Sequence, residues 1–223
     1  MSSRGVSTLL LLLIACHVSA QDWESFAASS DRSADSIILQ TMSAGDLETN
    51  IAICKGLARR GDSDVSSILE SLAAGHSART AVSTELLLRY LLQGVLDAHP
   101  QEASLQDWAM TNDAALDMLL FRITEWRSPQ LQGVLLAFAV IAQGRQGRHA
   151  IMDVGASLVS ELQASAGLIP SEDAALALSF LNAARRAMRS DFFAYCAEIA
   201  RLSRDEVIVR AARSAASALA SAS

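Results

Sequence analysis

Helix-start signals recur near residues 31, 46, 62, 83, 112, 128, 149, 171, 191 and 205, and behind each of them apolar side chains come at three- and four-residue spacing. That period gathers the apolar groups on one stripe of an α-helix, and a stripe must be buried against a neighbour. Asp46 opens a run with Leu47, Ile51, Cys54 and Leu57, and Arg59-Arg60-Gly61 ends it with cations and a glycine where the helix dipole favours them. Ser83 opens Leu87, Leu88, Leu91, Leu92, Val95 and Leu96, stopped by His99-Pro100. Asn112 caps Leu116, Leu119, Leu120 and Ile123. Ser128-Pro129 sets an N-cap before a proline at the first helical position, ahead of Gln130–Gln143, which is apolar nearly all round. Gly144–Arg148 reads as a turn. Asp205 opens the last helix, with Val207, Ala211, Ala215, Ala218 and Leu219 on its stripe. No stretch alternates as a strand does, and only Gln101–Thr111, polar around Trp108, gives no clear helical pattern.

Composition agrees. Forty alanines and 31 leucines fill 71 of 223 positions, while aromatics are 5%. Ala and Leu are the strongest helix formers, and the strand-favouring types are scarce. A β-sandwich, a disulfide-dense mini-domain and a disordered chain are excluded. The expected fold is all-α: residues 21–30 as an N-terminal segment, then about ten helices over 31–223. Alternate starts are 31 (31 to 62), 37 (112 to 149) and 34 (171 to 205) residues apart, the unit length of an α-solenoid. The irregular middle keeps a compact multi-helix bundle as the alternative.

Residues 1–20 read as a secretory signal peptide. Arg4 precedes an apolar block from Leu9 to Ala15, and Val18-Ser19-Ala20 supplies small residues for cleavage after Ala20. The block is shorter than the roughly 20 residues of a spanning helix. Leu13-Ile14-Ala15-Cys16 also resembles a bacterial lipobox, in which Cys16 would carry lipid. Either route predicts an extracytoplasmic location, most simply a bacterial periplasm, with the membrane reached only through such an anchor. Without the leader the chain keeps 17 basic against 24 acidic residues, a net of −7. Residues 21–180 hold 10 basic and 20 acidic side chains, whereas residues 181–223 hold seven Arg and four acids. An acidic body argues against nucleic-acid binding. The seven arginines, Arg185, Arg186, Arg189, Arg201, Arg204, Arg210 and Arg213, are the candidate interaction surface. Cys54 and Cys196 are expected to be buried free thiols, because helices stacked in a row would keep them apart.

The final helix, Asp205-Glu206-Val207-Ile208-Val209-Arg210-Ala211-Ala212-Arg213 through Ala218-Leu219, resembles the second helix of a HEAT-like repeat. An acid precedes a Val-Arg pair, then alanines follow at helical spacing. Gly61-Asp62-Ser63-Asp64-Val65 through Leu72 is a looser echo. The resemblance implies a stack of helix pairs used for binding other proteins, an implication drawn by analogy.

Signals for catalysis are weak. His76, His99 and His149 sit singly beside turns, and neither HExxH nor CxxC occurs, so no zinc ligand set forms. GxSxG and GxxxxGK[ST] are absent; Gly144–Gly147 is the one Gly/Arg turn that could meet an anion. Asp62/Asp64, Glu172/Asp173 and Asp205/Glu206 stand at helix starts, where capping explains them. Asp113 and Asp117 lie one turn apart on a wet face. Trp23, Trp108 and Trp126 could line a groove, yet packing over a neighbouring turn is the simpler role. The expectation is therefore a non-enzymatic exported module with no cofactor, metal or catalytic residue, binding a protein partner. The alternative is a binder of a peptide, lipid or small ligand in a groove between helices.

Overall fold

A computed structural model describes residues 19–61, 63–75, 81–141 and 145–221, with the side chains of residues 81–83, 145 and 172 left aside. Cys16 and most of the leader, Asp62, His76 and Gly144 lie outside the described residues. Within them the chain is all-α, with twelve α-helices, three short 3-10 turns and no strand. The helices are α1 (Ala20–Ser29), α2 (Asp35–Ala44), α3 (Leu47–Leu57), α4 (Ser66–Gly75), α5 (Ala81–Ala98), α6 (Glu102–Thr111), α7 (Asp113–Phe121), α8 (Pro129–Ile141), α9 (Arg145–Ala164), α10 (Ser171–Ala187), α11 (Phe193–Leu202) and α12 (Glu206–Ser221).

Most starts fall where the capping residues place them. Asp46 accepts the Thr49 N–H at 2.7 Å, and Asp205 accepts those of Val207 and Ile208 at 2.8 and 3.2 Å. Two helices were not expected. The N-terminal segment is helical and buries Trp23 and Ala27. The polar stretch before Asn112 is α6, burying Leu105, Trp108 and Ala109. Two or three buried side chains are too few to write a period. The turn expected at Gly144–Arg148 is also corrected, since α9 already runs from Arg145. In α12 the buried stripe is Ile208, Ala212, Ala215 and Leu219, not the one starting at Val207, which is 57% exposed.

Helices alternate between two layers. In one, α1 packs on α3, α3 on α5, α5 on α8, α8 on α10 and α10 on α12. In the other, α2 packs on α4, α4 on α7, α7 on α9 and α9 on α11, while α6 lies against α8. The apolar core runs unbroken from Ile38 through Leu88, Leu120 and Phe138 to Phe180 and Leu219. Trp108 packs on Phe138 with ring centroids 5.5 Å apart, and the Trp126 indole N–H donates to the Leu119 carbonyl. All three tryptophans are thus core residues rather than groove walls.

Neighbours within the first layer approach through small residues. A methyl on Gly56 of α3 would stand 2.3 Å from the Glu24 carbonyl and 2.8 Å from Ala27 Cβ on α1. Gly56→Ala should therefore push α1 off α3 and lower the unfolding free energy by about 1–3 kcal/mol, read by urea titration. Gly167, at φ +88°, ends α9, and its carbonyl accepts the Arg204 N–H at 2.9 Å, tying the α9–α10 turn to the α11–α12 turn.

Polar groups join successive pairs inside the core. Glu85 of α5 is buried, and its carboxylate accepts the N–H groups of Arg127 and Ser128 at 3.1 and 2.7 Å, at the positive start of α8. Asn112 does not cap α7 with its side chain. It is fully buried and spends both polar atoms on the turn at residues 63–66 and on Trp108.

Cys54 on α3 and Cys196 on α11 are free and buried. Burial pushes the Cys54 thiol up to about 12 and the Cys196 thiol up to about 11. Both should stay silent towards a thiol reagent at pH 8 in the folded protein and react together on unfolding.

Candidate functional site

The seven arginines are exposed, as a solvated or partner-binding role requires. Arg185 and Arg186 occupy the last turn of α10, with Arg189 just beyond. Arg201 ends α11, Arg204 follows it, and Arg210 and Arg213 lie along α12. Arg189 and Arg201 stand at opposite ends of α11, about 15 Å apart along its axis for ten residues at 1.5 Å each. Arg189 and Arg148 share Asp191 at 3.2 and 3.1 Å, and Arg201 pairs with Glu198 at 2.7 Å. The N-terminal turn of α9 is therefore brought to the end of α10, while α12 carries its own cations elsewhere.

Three clefts open among the described residues. One of about 490 Å³ lies among α2, α3, α4 and α5, lined by Leu39, Met42, Asn50, Leu72, Thr84 and Leu87 among others. Asn50 donates its side-chain N–H to the Met42 carbonyl at 2.9 Å, and its Oδ1 is a buried acceptor with no hydrogen-bond partner. A second, of about 340 Å³, sits at the α9–α10 turn with Glu161, Leu168, Pro170 and Asp173. Burial, and then the Asp173 charge, raise the Glu161 carboxyl above its usual value, opposed by the Ser157 hydroxyl. The third, of about 390 Å³, separates α7 from α9 and is lined by Leu120, Phe121, Gln146, His149 and Asp153.

The two most exposed large apolar side chains among the described residues lie on α6 and α7, and one of them lines this third cleft. Phe121, at the end of α7, is 71% exposed, and Met110, near the end of α6, is 69% exposed. The same helices carry acids: Asp107 on α6, Asp113 and Asp117 on α7. Asp117 is half-buried, and desolvation, followed by the Asp113 charge, raises its carboxyl. A carboxyl held above its unfolded value opposes folding when ionised, and the penalty fades as pH falls through the folded value. Asp117→Asn should accordingly raise the melting temperature slightly at pH 7 and by less near pH 4, measured by calorimetry.

The remaining titratable candidates are spent structurally. His99 Nδ1 lies 2.7 Å from the Ser104 hydroxyl. Asp64 accepts the Ser66 N–H and pairs with Arg32 at 2.9 Å. No group of three His, Cys, Asp or Glu side chains among the described residues could hold a metal ion. No described helix is long and apolar enough to cross a membrane.

Sequence reasoning passed over Phe121 and Met110, although a signal existed. In α7 the core takes Ala115, Leu116, Leu119 and Leu120, and Phe121 falls about 100° beyond Leu120 on the helical wheel. An aromatic there has no core to enter. Comparison with protein-family models, curated proteins and solved structures finds no match to this chain.

Proposed function

We propose that the chain is a non-enzymatic, exported protein-interaction module whose helix pairs stack as an α–α superhelix similar to HEAT-like arrays. The alternating layers support the stacking: α1 to α3 and α6 to α10 each meet the helix two places along, while in the irregular middle α4 meets α7 and α5 meets α8, and such contacts let repeats bury their stripes by leaning on neighbours. Export rests on the sequence of residues 1–20, whose cationic, apolar and small-residue order fits a cleaved leader.

One observation carries the interaction reading. The chain leaves the large apolar side chain of Phe121 71% exposed on the wall of the third cleft, with Asp113 and Asp117 at four-residue spacing from it on α7. Apolar side chains grouped on a surface with a polar rim mark binding sites. Affinity capture from the native envelope with the leader-free chain tests it: the reading expects a defined protein, and its loss with Phe121→Ala. The cleft holding Asn50 favours a second reading, a small ligand among α2–α5 whose donor would satisfy Asn50 Oδ1. A small molecule retained in native mass spectrometry, with no protein captured, would favour that one.

A further inference from the structure

Resting on the interaction reading, we propose that the face of α7 carrying Asp113, Asp117 and Phe121, with the cleft between it and α9, docks a cationic amphipathic segment of a separate protein. The charge pattern is one-sided. Helices α4, α6 and α7 together carry Glu70, Glu102, Asp107, Asp113 and Asp117 and not one Lys or Arg. Arg122, which follows Phe121, pairs with Glu125 at 2.7 Å, and Arg148 of α9 pairs with Asp191 at 3.1 Å. An approaching segment therefore meets acids and no Lys or Arg along the consecutive helices α6 and α7, which steers a cationic partner and repels an anionic one.

Charge alone does not make this a docking surface; the apolar elements give it a register. Asp113, Asp117 and Phe121 recur every four residues, so they share one side of α7. Beyond Phe121 lies the cleft walled by Leu120, Gln146 and His149, with Asp153 at i+4 from His149 on the same side of α9. A helix with an apolar stripe and flanking cations satisfies both features together: its apolar side chains cover Phe121 and enter the cleft, and its Lys or Arg side chains reach Asp113, Asp117 and Asp153.

The probe is a labelled Leu/Lys amphipathic helical peptide, followed by fluorescence anisotropy, beside a Leu/Glu peptide of the same pattern and a Ser/Lys peptide of the same charge. The leader-free chain should bind Leu/Lys alone with saturation. Phe121→Ala, and separately Asp113→Asn with Asp117→Asn, should each weaken it about tenfold or more, the loss expected of a central anchor. Glu48→Gln with Asp97→Asn, exposed acids of the other layer, should change it less than about twofold, as rim charges do. Equal losses from the two acid pairs, equal binding of Ser/Lys, or no binding of Leu/Lys overturns the proposal. So does a wild-type dimer in sedimentation velocity that Asp113→Asn with Asp117→Asn makes monomeric, because the occupant is then a second copy. An envelope protein captured equally by wild type and both variants keeps the interaction reading and overturns this surface.

Discussion

Asn112→Ala should lower the unfolding free energy by about 3–5 kcal/mol, more than any other change of a neutral polar side chain in this chain. Four bonds converge on that one amide. Its Oδ1 accepts the Val65 N–H at 2.9 Å and the Ser66 hydroxyl at 3.2 Å, and its Nδ2 donates to the carbonyls of Ser63 at 2.7 Å and Trp108 at 2.9 Å. Alanine returns none of them, and the buried Val65 N–H loses its acceptor, at about 1–3 kcal/mol for each group so stranded. The same amide holds Ser63 in the left-handed region at φ 57°, which costs a non-glycine residue about 1–2 kcal/mol. Urea titration gives the total. Hydrogen exchange gives the location: the Val65 and Ser66 amides should lose protection before those of α8 and α10.

Asp35→Ala should cost about 3–5 kcal/mol by removing one partner of a buried pair. Arg60 Nη1 lies 2.6 Å from Asp35 Oδ1, and the Arg60 side chain is wholly shielded from solvent. The other carboxylate oxygen accepts the Ser67 hydroxyl. One carboxylate thus ties the start of α2 to the residues after α3 and to α4. Replacing both charges with apolar groups, Asp35→Leu with Arg60→Met, should recover most of the loss, because desolvation of the two ions then disappears together with their attraction. A double variant as unstable as Asp35→Ala would show that geometry, rather than the stranded charge, sets the cost.

The class of fold was legible because caps and apolar stripes are local. Asp46, Ser128 and Asp205 mark their helices within a residue or two. What could not be read was non-local or degenerate. Alanine at 211, 212, 215, 216 and 218 lets the α12 stripe be drawn in more than one phase, and only contact with α10 and α11 selects Ile208 over Val207. Asn112 reads as a cap because its neighbours in sequence form a helix, yet its partners at residues 63–66 lie nearly fifty residues away. Glu85 hides in a leucine-rich run, with its two acceptor bonds over forty residues downstream.

The site was less legible. Counting arginines found a cationic C-terminal region, and those arginines fall at the end of α10, at the end of α11 and along α12. The acidic apolar face appears only when α7 is packed against α9, since its acids Asp113 and Asp117 and the cleft residue Asp153 are spread between residues 113 and 153 in sequence.

Site-specific photo-crosslinking in the producing cell tests the central claim most directly. With a benzophenone side chain at position 121, the interaction account predicts one discrete protein adduct, repeated at position 110 and missing at position 48. No adduct at 121, or the same adducts at 48 as at 121, would contradict it.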